Sequence, residues 1–255
     1  MKGRTGASWL FPLAIDPPLG SAEAQRYARH LVLKGMGGAG QQKLKAARVL
    51  VVGAGGLGSP AIAYLAGAGI GHLGIADPDI VSLSNLQRQI VHTSAGIGRN
   101  KADSAGAFAQ ALNPHVGLDL IETAITGEIA EAILGQFDLV LDGTDNLGTR
   151  RIVAAAAETL SIPLVSGAVS MFSGQVSVFA PHLGGPKHEA LFPPEASDDA
   201  LPSCEANGIL GPITGIIGTL MAMEAIKLIT GIGTPLIGRV LLYDGHESRF
   251  SELDY

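Results

Sequence analysis

Cysteine is nearly absent: Cys204 is the only one in the 255-residue chain. No intramolecular disulfide can form, and one chain cannot assemble a Cys-rich zinc site. A reducing cytoplasm fits such a sequence. Basic clusters are missing as well. Seventeen Lys and Arg face 23 Asp and Glu, for a net charge of -6, and no basic block carries interleaved aromatics. Nucleic acid is therefore a poor partner. The seven histidines show no ligand spacing such as H-E-x-x-H, so none is given a metal or catalytic role. Long uninterrupted apolar runs are also lacking. Residues 206–223 are uncharged, but they hold Pro212 and repeated glycines, with Glu224 and Lys227 close behind. The segment reads as a buried core helix and not as a membrane span. The short run 9–15 is broken by Pro12 and has no small-residue cleavage pattern, so residues 1–20 are expected to form an N-terminal tail.

Glycine, by contrast, is abundant. The chain has 35, about twice the usual share of roughly 7%, which suits many tight strand–helix turns. A hydrophobic content of 47% and a mean hydropathy of +0.32 argue against disorder. Apolar runs alternate with helical patterns through the first two-thirds, the mark of a parallel sheet covered on both faces. The pattern predicts helices over 22–31, 41–47, 57–69, 101–112, 128–134, 147–160 and 215–230. Strands are predicted over 48–52, 73–77, 116–122, 137–142, 163–168, 174–179, 239–243 and 248–253. Residues 181–207 are rich in Pro, Gly, Asp and Glu, and so long a connection is commonly functional. The expected fold is α/β: a Rossmann-like mixed sheet over 21–255, helices on both faces, antiparallel strands in the second half and a long loop.

The strand at 48–52 runs into G-x-G-x-x-G at Gly53, Gly55 and Gly58. Such glycines allow a tight turn and let backbone N–H groups approach a phosphate at a helix N-terminus. Asp77 ends the next apolar run, where an acidic residue accepts ribose hydroxyls. Alone, this fingerprint favours an NAD(P) oxidoreductase, or serves only close packing. Ser59 stands where a P-loop requires lysine, which excludes that motif. Arg88 and Lys101 follow strand two and could neutralise phosphates, although each singly could be a solvated surface charge. Asp142-Gly-Thr-Asp-Asn146 closes another apolar run, and Asp145 could hold Mg2+, leaving Asn146 to cap the next helix. Cys204 has no adjacent activating group and on spacing reads as an unreactive thiol.

Taken together, these blocks resemble the E1-like adenylyltransferases of the ThiF/MoeB/HesA group, relatives of ubiquitin E1. The matching pieces are 26–30, 53–59, 77–79, Lys101, 142–146, 204–208, 218–227, 243–245 and, most specific, Ser82-Leu-Ser-Asn-Leu-Gln-Arg-Gln89. The resemblance implies that Mg-ATP donates AMP to the C-terminal carboxylate of a ubiquitin-fold sulfur carrier ending in Gly-Gly, with release of pyrophosphate. By position, Gly53, Gly55, Gly56 and Gly58 would line the nucleotide, and Asp77, with Asp79 beside it, would take the ribose. Ser84, Asn85, Leu86, Gln87 and Arg88 would flank it together with Lys101, of which Asn85, Arg88 and Lys101 reach the phosphates. Asp145 would hold Mg2+, and Asn146 would lie beside it among the nucleotide-binding residues. Arg29 would arrive from the other subunit of a homodimer, and residues 181–207 would cross over the carrier's tail. Cys204 matches a position that some members use for a thioester or persulfide link, with a sulfurtransferase or cysteine desulfurase as sulfur source. Residues 187–193 lack the thiols that hold structural zinc in many members, so no zinc is expected.

The chain's ending and this thiol-free loop are most similar to the molybdopterin-synthase branch. The thiazole-pathway carrier is the alternative within the class, and a non-catalytic carrier-binding module is a further rival. The chemistry agrees with the group. A C-terminal carboxylate, with a pKa of about 3.3–3.7, is already ionised and needs no general base. Cations and positioning are what its attack on an anionic α-phosphate requires.

Overall fold

Alternate residues of the first strand decide the layering. In β1 (Arg48–Val52), Val49 and Val51 enter one apolar core, while Leu50 and Val52 enter another on the opposite face. The two-residue period of a strand sends neighbours to opposite sides. A strand covered on both sides is accordingly apolar throughout. The computed structural model describes residues 18–193 and 208–255. Its other strands are β2 (His72–Ala76), β3 (Gly117–Ile121), β4 (Leu139–Asp142), β5 (Leu164–Ser170), β6 (Ser173–Phe179), β7 (Arg239–Asp244) and β8 (Arg249–Asp254). They form one sheet in the order β3-β2-β1-β4-β5-β6-β7-β8. The first five are mutually parallel, and β6, β7 and β8 add antiparallel. The expected mixed sheet is the one observed.

The chain enters through α1 (Ser21–Arg26), α2 (Ala28–Leu31) and α3 (Gly37–Ala46). The helix expected over 22–31 is interrupted at Tyr27, which is buried and whose hydroxyl accepts a hydrogen bond from Asn113 Nδ2 at 2.8 Å. One face of the sheet carries α4 (Gly58–Ala68) and α5 (Lys101–Leu112); the other carries α6 (Ala130–Leu134) and α7 (Leu147–Thr159). Gly74 in β2 leaves the space that the Phe137 ring fills.

The last helix, α8 (Gly211–Thr230), starts earlier than its apolar pattern predicts. Pro212 sits in its first turn, where a missing N–H costs no intrahelical bond. This helix meets the length and composition of a membrane span, yet it packs against α4, α3, β5 and β6. Gly218 brings it onto the Leu57 carbonyl and the Pro60 ring. Its buried Glu224 pairs with Lys227 and accepts the Leu236 N–H at 2.8 Å. Placing that carboxylate in lipid would cost it the Leu236 donor.

Candidate functional site

A cleft of about 250 Å3 opens at the carboxyl ends of β1, β2, β4 and β5, where the strand order of a doubly wound sheet leaves a crevice. The turn after β1 forms its floor. Gly53 has φ +92°, a conformation that favours glycine, and a methyl at Gly58 would overlap the Gly53 carbonyl. Gly53, Gly55 and Gly56 line the cleft. Gly58 stands behind them, and its lack of a side chain lets α4 start against the turn.

Asp77 is 5% exposed just beyond β2. Its Oδ2 accepts the Ala54 N–H at 2.8 Å and its Oδ1 accepts the Asp79 N–H at 2.9 Å. Burial raises its pKa, while Lys101 and the two backbone donors oppose the rise. A carboxylate offers about four acceptor positions, so hydroxyl donors still have room on it. Lys101, 7% exposed, opens α5, and its Nζ lies 2.8 Å from Asp79 Oδ2. Asn100 caps that helix, accepting the Ala102 and Asp103 N–H groups at 2.7 and 3.2 Å. Its Nδ2 reaches back to the Asp77 carbonyl at 3.1 Å, which fixes α5 against the end of β2.

Arg88 also lines the cleft, and its guanidinium donates to the Ser84 carbonyl at 3.2 Å. Asp145 and Asn146, in the loop after β4, line the cleft as well. Asn146 caps α7 by accepting the Thr149 N–H at 2.8 Å, as expected. Asp145 is exposed and makes no ion pair among the described residues. No group of three or more His, Cys, Asp or Glu side chains converges among those residues. A cation here would take one carboxylate plus ligand oxygens, a donor set that suits Mg2+.

A model of the ThiF family matches residues 27–255. The chain belongs to the ThiF family. It is 46% identical over 235 residues to the Culex quinquefasciatus protein named adenylyltransferase and sulfurtransferase MOCS3, covering 92% of this chain and 53% of that one. It is 45% identical over 235 residues to the sulfur carrier protein adenylyltransferase of Thermus thermophilus, covering 91% and 87%. The chain thus spans about half the length of the first of these relatives. The fold matches that of Escherichia coli MccB crystallised with ATP, at a TM-score of 0.76 and 19% identity over 93% of this chain and 73% of that one.

Several residues that the ThiF-like motifs single out lie elsewhere. Ser84, Asn85, Leu86 and Gln87 are not among those lining the cleft. They build the turn that aims Arg88: Asn85 Oδ1 accepts the Ser82 N–H at 3.2 Å, and the Gln87 carbonyl lies against Gly211. A motif in the sequence marks the whole turn and cannot separate the residue that points inward from those that shape it. Arg29 is exposed on α2, away from the cleft of its own ThiF-family chain. Cys204 and residues 194–207 of the expected crossover loop lie outside the described residues.

Other groups emerge only in three dimensions. Arg150, 2% exposed, lines the cleft and forms an ion pair at 3.0 Å with the fully buried Asp142. Its fork also donates to the Thr144 and Gly167 carbonyls at 2.7 and 2.9 Å, and to Ser166 Oγ. Asp142 Oδ1 accepts the Thr144 N–H and hydroxyl at 3.0 and 2.6 Å. The loop that carries Asp145 is thereby held from both sides. Phe192, in the long connection, covers the guanidinium, with the Arg150 carbon 5.1 Å from the ring centroid. The one advance sign was a carboxylate closing an apolar run with an arginine eight residues further on. Gln89 and Thr214 line the cleft as well.

Proposed function

We propose that this chain is an ATP- and Mg2+-dependent adenylyltransferase. Its substrate is the C-terminal glycine of a ubiquitin-fold sulfur carrier, with the molybdopterin-synthase small subunit as first choice. The observation that carries the reading is the set of charges lining the cleft: Arg88 and Lys101 after β2, Asp145 after β4 on the other side of β1, and Asp77 bonded to the glycine turn. The relative named sulfur carrier protein adenylyltransferase supports the same assignment.

In this reading Asp77 accepts the ribose hydroxyls, and the N–H groups of Gly55 and Gly56 face the phosphates. Arg88 and Lys101 balance the triphosphate charge, Lys101 exchanging its Asp79 contact for a phosphate oxygen. Mg2+ held at Asp145 supplies further positive charge to the phosphate oxygens. The carrier's carboxylate oxygen attacks the α-phosphorus, the bond from that phosphorus to the bridging oxygen breaks, and pyrophosphate leaves. The product is an acyl adenylate, a mixed anhydride. No proton moves in this step, which accounts for a site built from cations and carboxylates without a catalytic base. A second copy of the chain supplies Arg29, and a sulfurtransferase or cysteine desulfurase acts on the adenylate afterwards.

ATP–pyrophosphate exchange tests the proposal. Exchange should depend on the carrier and vanish when its last two glycines are removed. Running the molybdopterin and thiazole carriers in parallel decides the branch. Exchange indifferent to the tail, or tight NADH binding without exchange, would overturn the reading.

A further inference from the structure

His92 and Ser104 lie outside the cleft lining, yet they join two of the segments that build it, the glycine turn and α5. His92 is buried after the turn that carries Arg88. Its Nε2 lies 3.0 Å from the Ala54 carbonyl of the glycine turn, and its Nδ1 lies 2.9 Å from Ser104 Oγ on α5. A carbonyl only accepts, so Nε2 carries the proton. The neutral ring then accepts at Nδ1, and the Ser104 hydroxyl donates. Burial lowers the ring's pKa, and this agrees with the neutral form; the Ala54 bond and Asp77 oppose the shift, and the Lys101 charge adds to it.

The consequence for the turn follows from amide planarity. In a trans peptide the C=O and the following N–H point to opposite sides. His92 draws the Ala54 carbonyl away from the cleft, so the Gly55 N–H is turned toward the cleft that Gly55 lines. The other peptide of Ala54 is fixed too, because its N–H is bonded to Asp77 at 2.8 Å. Both peptides around Ala54 are therefore clamped, one by the ribose-side carboxylate and one by the imidazole.

We propose that His92 is a positioning residue for the nucleotide: with Ser104 it forms a strut that fixes the Gly55 N–H toward the phosphates and ties the glycine turn to the helix bearing Lys101. The assignment rests on the nucleotide reading of the cleft and adds a residue that never touches the ligand.

The test is calorimetric titration of Mg-ATP into the full chain and into His92→Leu, His92→Gln and Ser104→Ala, with thermal midpoints recorded alongside. Leucine fills the space without hydrogen bonds, and glutamine restores a donor and an acceptor on one planar group. His92→Leu should weaken Mg-ATP at least about tenfold, the scale of one buried hydrogen bond left unmade. Ser104→Ala should cost roughly threefold, and His92→Gln should stay within about threefold of the parent, whatever happens to the midpoints. Unchanged affinity in His92→Leu, or equal weakening in the leucine and glutamine variants, overturns the strut. If His92→Leu fails to fold, Ser104→Ala with parental affinity overturns it instead. A parent chain that does not bind Mg-ATP overturns the nucleotide reading, and the strut with it.

Discussion

The central parallel strands and the antiparallel edge strand are buried to very different depths. In the parallel half, β4 is buried along its whole length and β1 at every position after Arg48. In the antiparallel half, every residue of the edge strand β8 is exposed, Phe250 and Leu253 among them. Helices cross over between parallel strands and cover both faces, so polar chemistry is forced to the strand ends, where the cleft lies. Hairpins join β5 to β6 and β7 to β8, and the last strand is left with an open edge. One half is therefore built to hold a small ligand at its rim, while the other presents surface.

This contrast can be attacked at several points. The largest effect belongs to the rim. Asp145→Asn should lower pyrophosphate exchange roughly 10²–10³-fold, the scale of removing one group that stabilises transition-state charge. Because Asp145 is exposed, the melting curve should hardly move, and a matching loss of stability would show that the rim is not separable from the core. Next comes depth. Leu50→Ala should cost about 2–5 kcal/mol in urea unfolding, through lost burial and the cavity left behind. Leu253→Ala on β8 should stay within about 0.5 kcal/mol. Equal costs would break the comparison of the halves.

A smaller effect concerns pH. His188 lies in the long connection and is buried between Phe179 and Phe192, and burial holds its pKa at about 4 against an ordinary 6.5. With the folded value depressed, the unfolded chain takes up the proton first as pH falls. Its contribution is intact above pH 6.5 and is lost between 6.5 and about 4, amounting to roughly 2 kcal/mol at pH 5. His188→Phe keeps the ring stack and should flatten that part of the stability–pH curve, as measured by urea midpoints at pH 7 and pH 5.

What the sequence made legible follows the same division. Continuous apolar runs ending in glycine or aspartate announced β1, β2 and β4, and with them Gly53, Asp77 and Asp145 at the cleft. Arg88 and Lys101 were found because each lies near a strand end in a recognisable motif. The buried bridges were not visible. Arg150 with Asp142, and His92 with Ala54 and Ser104, join elements through side chains whose pairing has no periodicity and no local signature. Helix starts were misjudged at Gly37 and Gly211 because glycine and proline read as breakers, although packing and first-turn placement make them tolerable there.

One end of α8 brings Thr214 to the cleft beside Gly56, and its middle is wedged between α4 and the junction of β5 with β6. A rod seated in both regions couples their opening, so amide protons near Ile217 and Met221 should exchange with solvent only in the slowest class. Local fraying elsewhere would leave that central rivet unmoved.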